Sequence, residues 1–458
     1  MYKSMKVLIV DMTHGGQLIA SEFMKIPEFE IFALDIYSTM DSQTRYEFQV
    51  NGLKFIESLE DLKEHKNTGA ESNFMIVAPV HCNIEYPVDM THHEAVGFIL
   101  KDKIKIPIIE VTGVKGKTSV VWILKEILKD FNPLVLSSLG VEVIEDGEWK
   151  VLKEDISITP ASIIESLKLS EGYETGICIF ETSLGGSGLA DVGILTNMVE
   201  NYPIASNTRV ASDAKIQIFK SKAVACEISS FNSMYSEFME KTNTFGNSTD
   251  GKTQANLTAS QIRFGLVKTD FKIEIEDFKT SSNNIVNESL EVSTFAPSPY
   301  HVTNVLSAVC ACLSIDVPME KIKEGLNNFK GVKGRTSIEE HDGIRFIKEI
   351  NPGLNVTAVK KALLMMEDMD NVGVIFGGKY GITCEEIDEK SVSDVLDDIN
   401  EDIPLILVDE LGDSVKNILK RHFIYHNDLN GAMECAIDNT CSNILIIYRS
   451  NFSDLKKR

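Results

Sequence analysis

The sequence predicts an α/β protein made of three consecutive units, each built on a parallel sheet. Two observations carry that expectation. Short apolar runs that end in an acid or a glycine turn alternate with segments of helical periodicity, the pattern of strands buried on both faces and joined by crossover helices. One strand-to-helix junction is rich in glycine and carries Lys117 and Thr118, as such folds use to hold phosphate at a helix N-terminus. The composition agrees. A chain of 458 residues, 43% hydrophobic and 25% charged with 29 Gly and 12 Pro, is ordinary for globular proteins and excludes a collagenous, coiled-coil or wholly disordered one.

The first unit spans residues 1–105. Val7-Leu8-Ile9-Val10 reads as a buried strand ending in Asp11 and feeding Thr13-His14-Gly15-Gly16. A helix follows around Gln17 to Lys25, then strands at Ile31–Asp35 and Asn73–Ala78, the last leading into Pro79-Val80-His81-Cys82. Ligands of open parallel sheets sit beyond the strand C-termini, so His14 and His81 face the ligand crevice of this unit as a general base or a polar anchor for substrate carboxylates. Loop histidines satisfied by backbone are the alternative. His92-His93-Glu94 looks like a metal cluster, but adjacent side chains on a helix diverge, and a solvated helix start is the expectation.

The second unit spans 106–330. Its strands are Ile108–Val111, Ile177–Glu181, Gly193–Asn197 and Gln261–Phe264, with helices at about Val120–Lys129, Ser212–Ile228 and Val302–Ile315; Glu240 to Ser260, dense in Asn, Thr, Gly, Lys and Gln, reads as a solvated loop. The third unit, 331–458, has strands at Gly343–Ile347, Val372–Phe376, Ile403–Val408 and Asn443–Tyr448.

Asp plus Glu number 68 against 45 Lys plus Arg, a net charge of −23, which disfavours a nucleic-acid or anionic-membrane partner. The 8 cysteines are scattered, without a paired C-x-x-C, and read as reduced core thiols rather than a zinc site. No apolar run reaches the roughly 18 residues of a membrane span; a cytoplasmic protein is expected, of undetermined oligomeric state.

The strongest motif is Thr112-Gly113-Val114-Lys115-Gly116-Lys117-Thr118-Ser119. Its glycines let successive amides turn toward phosphate oxygens, Lys117 supplies a mobile positive charge, and the Thr118 hydroxyl suits Mg²⁺. Glu181, at the end of an apolar run, is placed to hold that metal beside the phosphates.

Thr112 to Ser119, Phe180-Glu181-Thr182-Ser183, Thr196-Asn197, Ala214 to Phe219, His301 with Asn304, and Gly334-Arg335 stand in the order found in Mur ligases and folylpolyglutamate synthetase. From about Lys105 onward the chain resembles that family. The resemblance implies three domains: an N-terminal α/β substrate-binding domain, a central P-loop ATPase and a C-terminal Rossmann-like domain. It implies ATP and Mg²⁺, and a carboxylate phosphorylated before a nucleophile attacks the acyl phosphate. It assigns Lys117 to the phosphates, Thr118 and Glu181 to the metal, and Asn304 and Arg335 to ATP. Lys215 matches the lysine that many members carbamylate to hold a second Mg²⁺.

Two departures stand out. The family's Asp-His pair after Thr196-Asn197 is replaced by Val199-Glu200-Asn201-Tyr202-Pro203, so a metal-binding histidine is missing. Its acid-x-Ala-His-Asn-Pro segment reads Glu349-Ile350-Asn351-Pro352, where Glu349 is a candidate for the acid.

Asp11-Met12-Thr13-His14-Gly15-Gly16, Asp35 to Thr39, Ala78 to Cys82, Glu200 to Pro203, Glu349 to Gly353 and Gly377 to Glu386 are similar to segments of the family's coenzyme F(430) synthetase branch, from methanogenic archaea. That resemblance implies a nickel-tetrapyrrole precursor with a free propionate as substrate, activated by ATP and closed onto a ring carbon to form a carbocycle, releasing ADP and phosphate. The alternatives are a Mur-type amide ligase, for example for pseudomurein peptides, and a non-ligating P-loop switch.

Overall fold

The computed structural model describes residues 5–61, 74–154, 156–247, 255–265, 267–332, 336–350, 354–366, 369–380, 387–439 and 441–450. The chain divides into two compact units, one of Met1–Ser260, Ile273–Leu290 and Thr303–Gly325, the other of Gln261–Lys272, Glu291–Val302 and Leu326–Arg458. Among the described residues no helix is long and apolar enough to cross a membrane.

The first unit opens with a five-stranded sheet of β1 (Met5–Val10), β2 (Phe29–Leu34), β3 (Lys54–Phe55), β4 (Phe74–Ala78) and β5 (Met90–Thr91), in the order β3-β2-β1-β4-β5. All its pairings are parallel. Val7 to Val10 are wholly buried because helices cover both faces of such a sheet. The order reverses between β1 and β4, and a switch point of this kind opens a crevice at the strand C-termini. The segments Asp11–Gly16 and Pro79–Cys82 flank it. Its described helices include α1 (Gln17–Phe23), α2 (Ser42–Val50) and α3 (His92–Leu100). A capping box starts α3: Glu94 N donates to Thr91 Oγ1 at 3.1 Å, and Thr91 N to Glu94 Oε2 at 2.7 Å.

A larger sheet follows, built on β6 (Ile108–Thr112), β7 (Pro133–Ser137), β8 (Gly140–Glu145), β9 (Glu148–Glu154), β10 (Ile177–Glu181), β11 (Val192–Leu195), β14 (Ala223–Glu227) and β15 (Thr242–Asn247); the ribbon of β12 (Pro203–Ile204) and β13 (Arg209–Val210) stands apart. The order is β9-β8-β7-β10-β6-β11-β14-β15, continued by β16 (Leu257–Arg263), β17 (Thr269–Lys279) and β18 (Ile285–Thr294). Its helices include α4 (Lys117–Ile127), α5 (Ala161–Leu169), α6 (Ala211–Lys215), α7 (Pro299–Ser314) and α8 (Met319–Asn328). One hydrophobic core joins the two sheets: Phe23, Val96 and Ile99 share a cluster with Leu134, Ile163 and Phe180.

In the second unit, β19 (Thr336–His341), β20 (Ile344–Ile350), β21 (Val372–Gly378), β22 (Leu405–Val408), β23 (Ile424–His426) and β24 (Asn443–Arg449) run in the order β19-β20-β24-β21-β22-β23. Among the described residues only β19–β20 of these strand pairs is antiparallel. Alternate residues of β21 feed cores on opposite faces, Val374 and Phe376 on one and Ile375 on the other.

Two expectations need correction. The helix expected over Ser212–Ile228 stops early: α6 runs into a 3-10 turn over Ile216–Lys220, and Ala223–Glu227 is strand β14, buried between β11 and β15. A short Ala-Val-Ala-Cys run suits either state, and its sheet neighbours decide. Within the expected loop Glu240–Ser260, Thr242–Asn247 is strand β15. Its polar residues are satisfied inside the fold: Asn243 exchanges hydrogen bonds with the Lys279 backbone at 2.8 and 3.1 Å, and Thr244 N donates to Asn256 Oδ1 at 2.9 Å. Residues 248–254 lie outside the described part.

Candidate functional site

The register of the larger sheet sets its chemistry. Strand β6 lies between β10 and β11, with Val111 opposite Glu181 and Thr112 opposite Leu195, so three strands end side by side at the phosphate-loop sequence. Gly113 and Gly116 take φ of 142° and 88°. A Cβ on Gly113 would stand 1.9 Å from Thr196 Oγ1, and one on Gly116 2.3 Å from Asn304 Oδ1, so a side chain fits at neither place. Asn304, on α7, is thereby brought against the loop.

The Thr196-Asn197 pair braces the bend. Val114 N donates to Asn197 O at 3.0 Å and Lys115 N to Asn197 Oδ1 at 3.2 Å. Thr196 Oγ1 and Asn197 Nδ2 donate to Lys115 O at 2.7 and 2.9 Å. Helix α4 starts at Lys117 with no side chain capping its first amides, which leaves them for an anion. Lys117 Nζ lies back on Gly113 O at 3.2 Å, and Ser119 is in the same first turn.

Thr118 Oγ1 donates to Glu181 Oε1 at 3.0 Å, and Glu181 Oε2 accepts Ser138 N at 3.0 Å. Ser138 Oγ stands 3.2 Å from Thr118 Oγ1. Two hydroxyls around a buried carboxylate make a set of hard oxygen donors, which fits Mg²⁺. Ser138 was not identified in the sequence, where a serine after a strand carries no distinguishing mark.

Lys215 is wholly buried. Its Nζ donates to Ser183 O at 2.6 Å and stands 3.4 Å from Thr112 Oγ1. Burial, helped by the charge of Lys117, pushes its amine down to about 7. In the segment that replaces the family's Asp-His pair, Asn201 accepts Ser212 N through Oδ1 and donates to Ser212 Oγ through Nδ2, both at 2.9 Å. It thus anchors the helix that carries Lys215.

At the crevice of the first sheet, Asp11 is fully buried at a φ of 69°. Its Oδ1 accepts the amides of Thr13 and His14 at 2.9 and 3.2 Å; its Oδ2 accepts His14 Nδ1 at 2.7 Å and lies 3.4 Å from His81 Nε2. Burial alone would raise this carboxyl, but the nearby rings of His81 and His14 and the two amides outweigh it and hold it at about 2. The His14 ring stands edge-on to His81 and Tyr37, centroids 5.0 and 5.4 Å away. The Asp11, His81 and Cys82 donor atoms lie within 4.8 Å of one another, but the Asp11 oxygens are already engaged, and the arrangement is a hydrogen-bonded one.

A cavity of about 330 Å³ opens beside these histidines, walled by His14, Pro79 to His81 and His93 from the first sheet's side and by Ser157 to Pro160, Ser183 and Leu184 from the larger sheet's side. The sequence-predicted residues His14 and His81 are thus brought together, one loop away from Lys215. His92 and His93 correct a further expectation. They do not begin a solvated helix; both are buried. Burial lowers their pKa to about 4 and about 3, so both rings stay neutral. Arg335, Gly334, Asn351 and Pro352 lie outside the described residues. Glu349 is buried in the second unit, where its Oε2 accepts Thr336 Oγ1 at 2.5 Å. The seven described cysteines are free, six of them buried.

Residues 338–451 match the family model described as coenzyme F430 synthetase CfbE, C-terminal domain. The chain is 30% identical over 431 residues to the coenzyme F(430) synthetase of Methanocaldococcus jannaschii, spanning 93% of this chain and 95% of that protein. It is 28% identical over 423 residues to that of Methanosarcina acetivorans, spanning 86% and 87%. A crystal structure of MurF from Acinetobacter baumannii superposes with a TM-score of 0.59 at 14% identity over 83% of both chains. That likeness bears out the Mur ligase-like α/β architecture.

Proposed function

The chain belongs to the coenzyme F(430) synthetase family, and on that premise we propose that it is an ATP-dependent cyclo-ligase that closes a carbocycle on a nickel-tetrapyrrole precursor. In this reading residues 1–105 hold the substrate, 106–330 carry the ATPase and 331–458 form the Rossmann-like part. The supporting observation is the cavity walled by His14 and His81 on one side and by Ser183, the carbonyl partner of Lys215, on the other.

The chemistry runs in two steps. The propionate carboxylate takes the terminal phosphoryl group of ATP, giving an acyl phosphate and ADP; the amides of the phosphate loop and Lys117 hold the phosphates while charge shifts between oxygens. Mg²⁺ bound by Thr118, Glu181 and Ser138 would neutralise part of that charge. The ring carbon then attacks the acyl carbon, the bond to phosphate breaks, phosphate leaves, and a base removes the proton from the attacking carbon. His14 is oriented to act as that base, because its Nδ1 is turned to Asp11 and the Nε2 lone pair is left free. His81 lies close enough to share the role.

Lys215 is proposed to be carbamylated. An amine with its pKa lowered to about 7 is substantially uncharged at neutral pH and open to carbon dioxide, and the carbamate replaces a buried positive charge by a metal-binding negative one. Isotope-labelled bicarbonate should give a carbamate signal in the wild type that is absent in Lys215→Met, with ATP turnover lost in the variant. A Lys215→Met enzyme with full turnover would remove the role.

The function is tested by incubating the protein with the open-ring nickel tetrapyrrole, ATP and Mg²⁺. ADP and phosphate should form one for one with a change in chromophore absorbance. Phosphate release that ignores the tetrapyrrole and answers to an amino acid or peptide would assign an amide ligase instead.

A further inference from the structure

Two imidazoles of the cavity wall carry a buried ring nitrogen without a hydrogen-bond partner among the described residues, His81 at Nε2, 3.4 Å from Asp11 Oδ2, and His93 at both nitrogens. His93 is 3% exposed, and neither Nδ1 nor Nε2 has a hydrogen-bond partner. Its neighbour His92 is equally buried but donates from Nε2 to Val10 O at 3.0 Å. Buried polar atoms are ordinarily paired, and natural folds tolerate exceptions chiefly where function requires them. Because the ring stays neutral, it offers one N–H and one lone pair. The ring is also fixed in place. Thr91, which caps its helix, donates from Oγ1 to Gln217 Oε1 at 2.7 Å, and Glu94 is ion-paired with Lys220.

The surroundings define the ligand. Among the described residues the cavity wall contains no Asp, Glu, Lys or Arg; it offers the hydroxyl-bearing Ser157, Thr159 and Ser183 and the apolar Val80, Ile158 and Leu184. Donors set among hydrocarbon suit a short apolar arm ending in an acid. At about 330 Å³ the space is at the low end of ligand pockets, right for an arm rather than a macrocycle. The Ser183 carbonyl is held by Lys215, whose Nζ reaches within 3.4 Å of Thr112 at the root of the phosphate loop. An acid seated here is next to the nucleotide side.

We propose that His93 is a substrate-binding residue whose ring N–H donates to the carboxylate that is to be phosphorylated, seating that arm in the cavity. This rests on the function proposed above and adds the residue that selects the arm.

Full-length wild type, His93→Leu and His93→Gln are titrated with the nickel tetrapyrrole as free acid and as propionate methyl ester, followed by absorbance, with ADP–Mg²⁺ binding as the control. His93→Leu should bind the acid about tenfold or more weakly with ADP binding unchanged, and His93→Gln, which keeps an N–H, should recover most of it. The ester should bind worse than the acid to the wild type but not to His93→Leu. Free of ligand, His93→Leu should melt no lower than the wild type, since an unpaired buried group has gone. Wild-type affinity in His93→Leu overturns the proposal, and so does a shift of the nickel absorption bands in that variant, which would make the ring a metal ligand. Should His93→Leu not fold, equal binding of acid and ester by the wild type overturns it. A wild type that takes up no tetrapyrrole defeats the function itself, a different result from uptake without a role for His93.

Discussion

Lys117→Ala is expected to lower ATP turnover by about a thousandfold or more, in line with the loss of a cation that steadies the transferred phosphoryl group. The bend itself should survive, because its shape depends on Gly113, Gly116 and the bonds from Thr196 and Asn197 and not on the lysine side chain. Lys117 Nζ makes a 3.2 Å contact to Gly113 O, a bond that can be exchanged for phosphate oxygens. The measurement is ADP formation under saturating substrate, with circular dichroism as a check on folding. Substantial residual turnover would mean that the triphosphate is held elsewhere.

Asp11→Asn should produce the complementary defect, slowing ring closure by about 10³–10⁴-fold while leaving phosphorylation in place. The carboxylate accepts His14 Nδ1 at 2.7 Å and so sets which ring nitrogen carries the proton; an amide in its place can present an N–H and reverse that choice. Asparagine tolerates the left-handed backbone at this position and its carbonyl can keep the amides of Thr13 and His14, so the fold is spared. Because the wild-type acid is held at about 2, it is ionised at neutral pH, where it accepts the His14 Nδ1 proton. Hydroxylamine should trap an acyl phosphate that accumulates in the variant. Ring closure at the wild-type rate would take the base role away from this group.

The phosphate loop and Glu181 were legible because their chemistry is local: a glycine bend between strand and helix, and an acid at the end of a buried strand. The succession of the main strands along the chain was legible for the same reason. What the sequence concealed depends on distant partners. His93 reads as a polar helix start until α3 is seen pinned to Gln217 and Lys220, over a hundred residues away. Asp11 reads as a strand-terminal acid, and its hold on two imidazoles appears only when β1 and β4 lie side by side. Strand β15 was hidden by asparagine and threonine, whose amides and hydroxyls are satisfied by residues from later in the chain.

The interleaved make-up of the first compact unit bears on how the protein comes into being. Its last contribution is Thr303–Gly325, and Asn304, which abuts Gly116, arrives with it. A nascent chain therefore cannot finish this unit until Gly325 has left the ribosome, and earlier intermediates expose β-strand edges and apolar helix faces during synthesis. Slow translation, or chaperones that shield the emerging sheet, should raise the yield of soluble enzyme more than added nucleotide does.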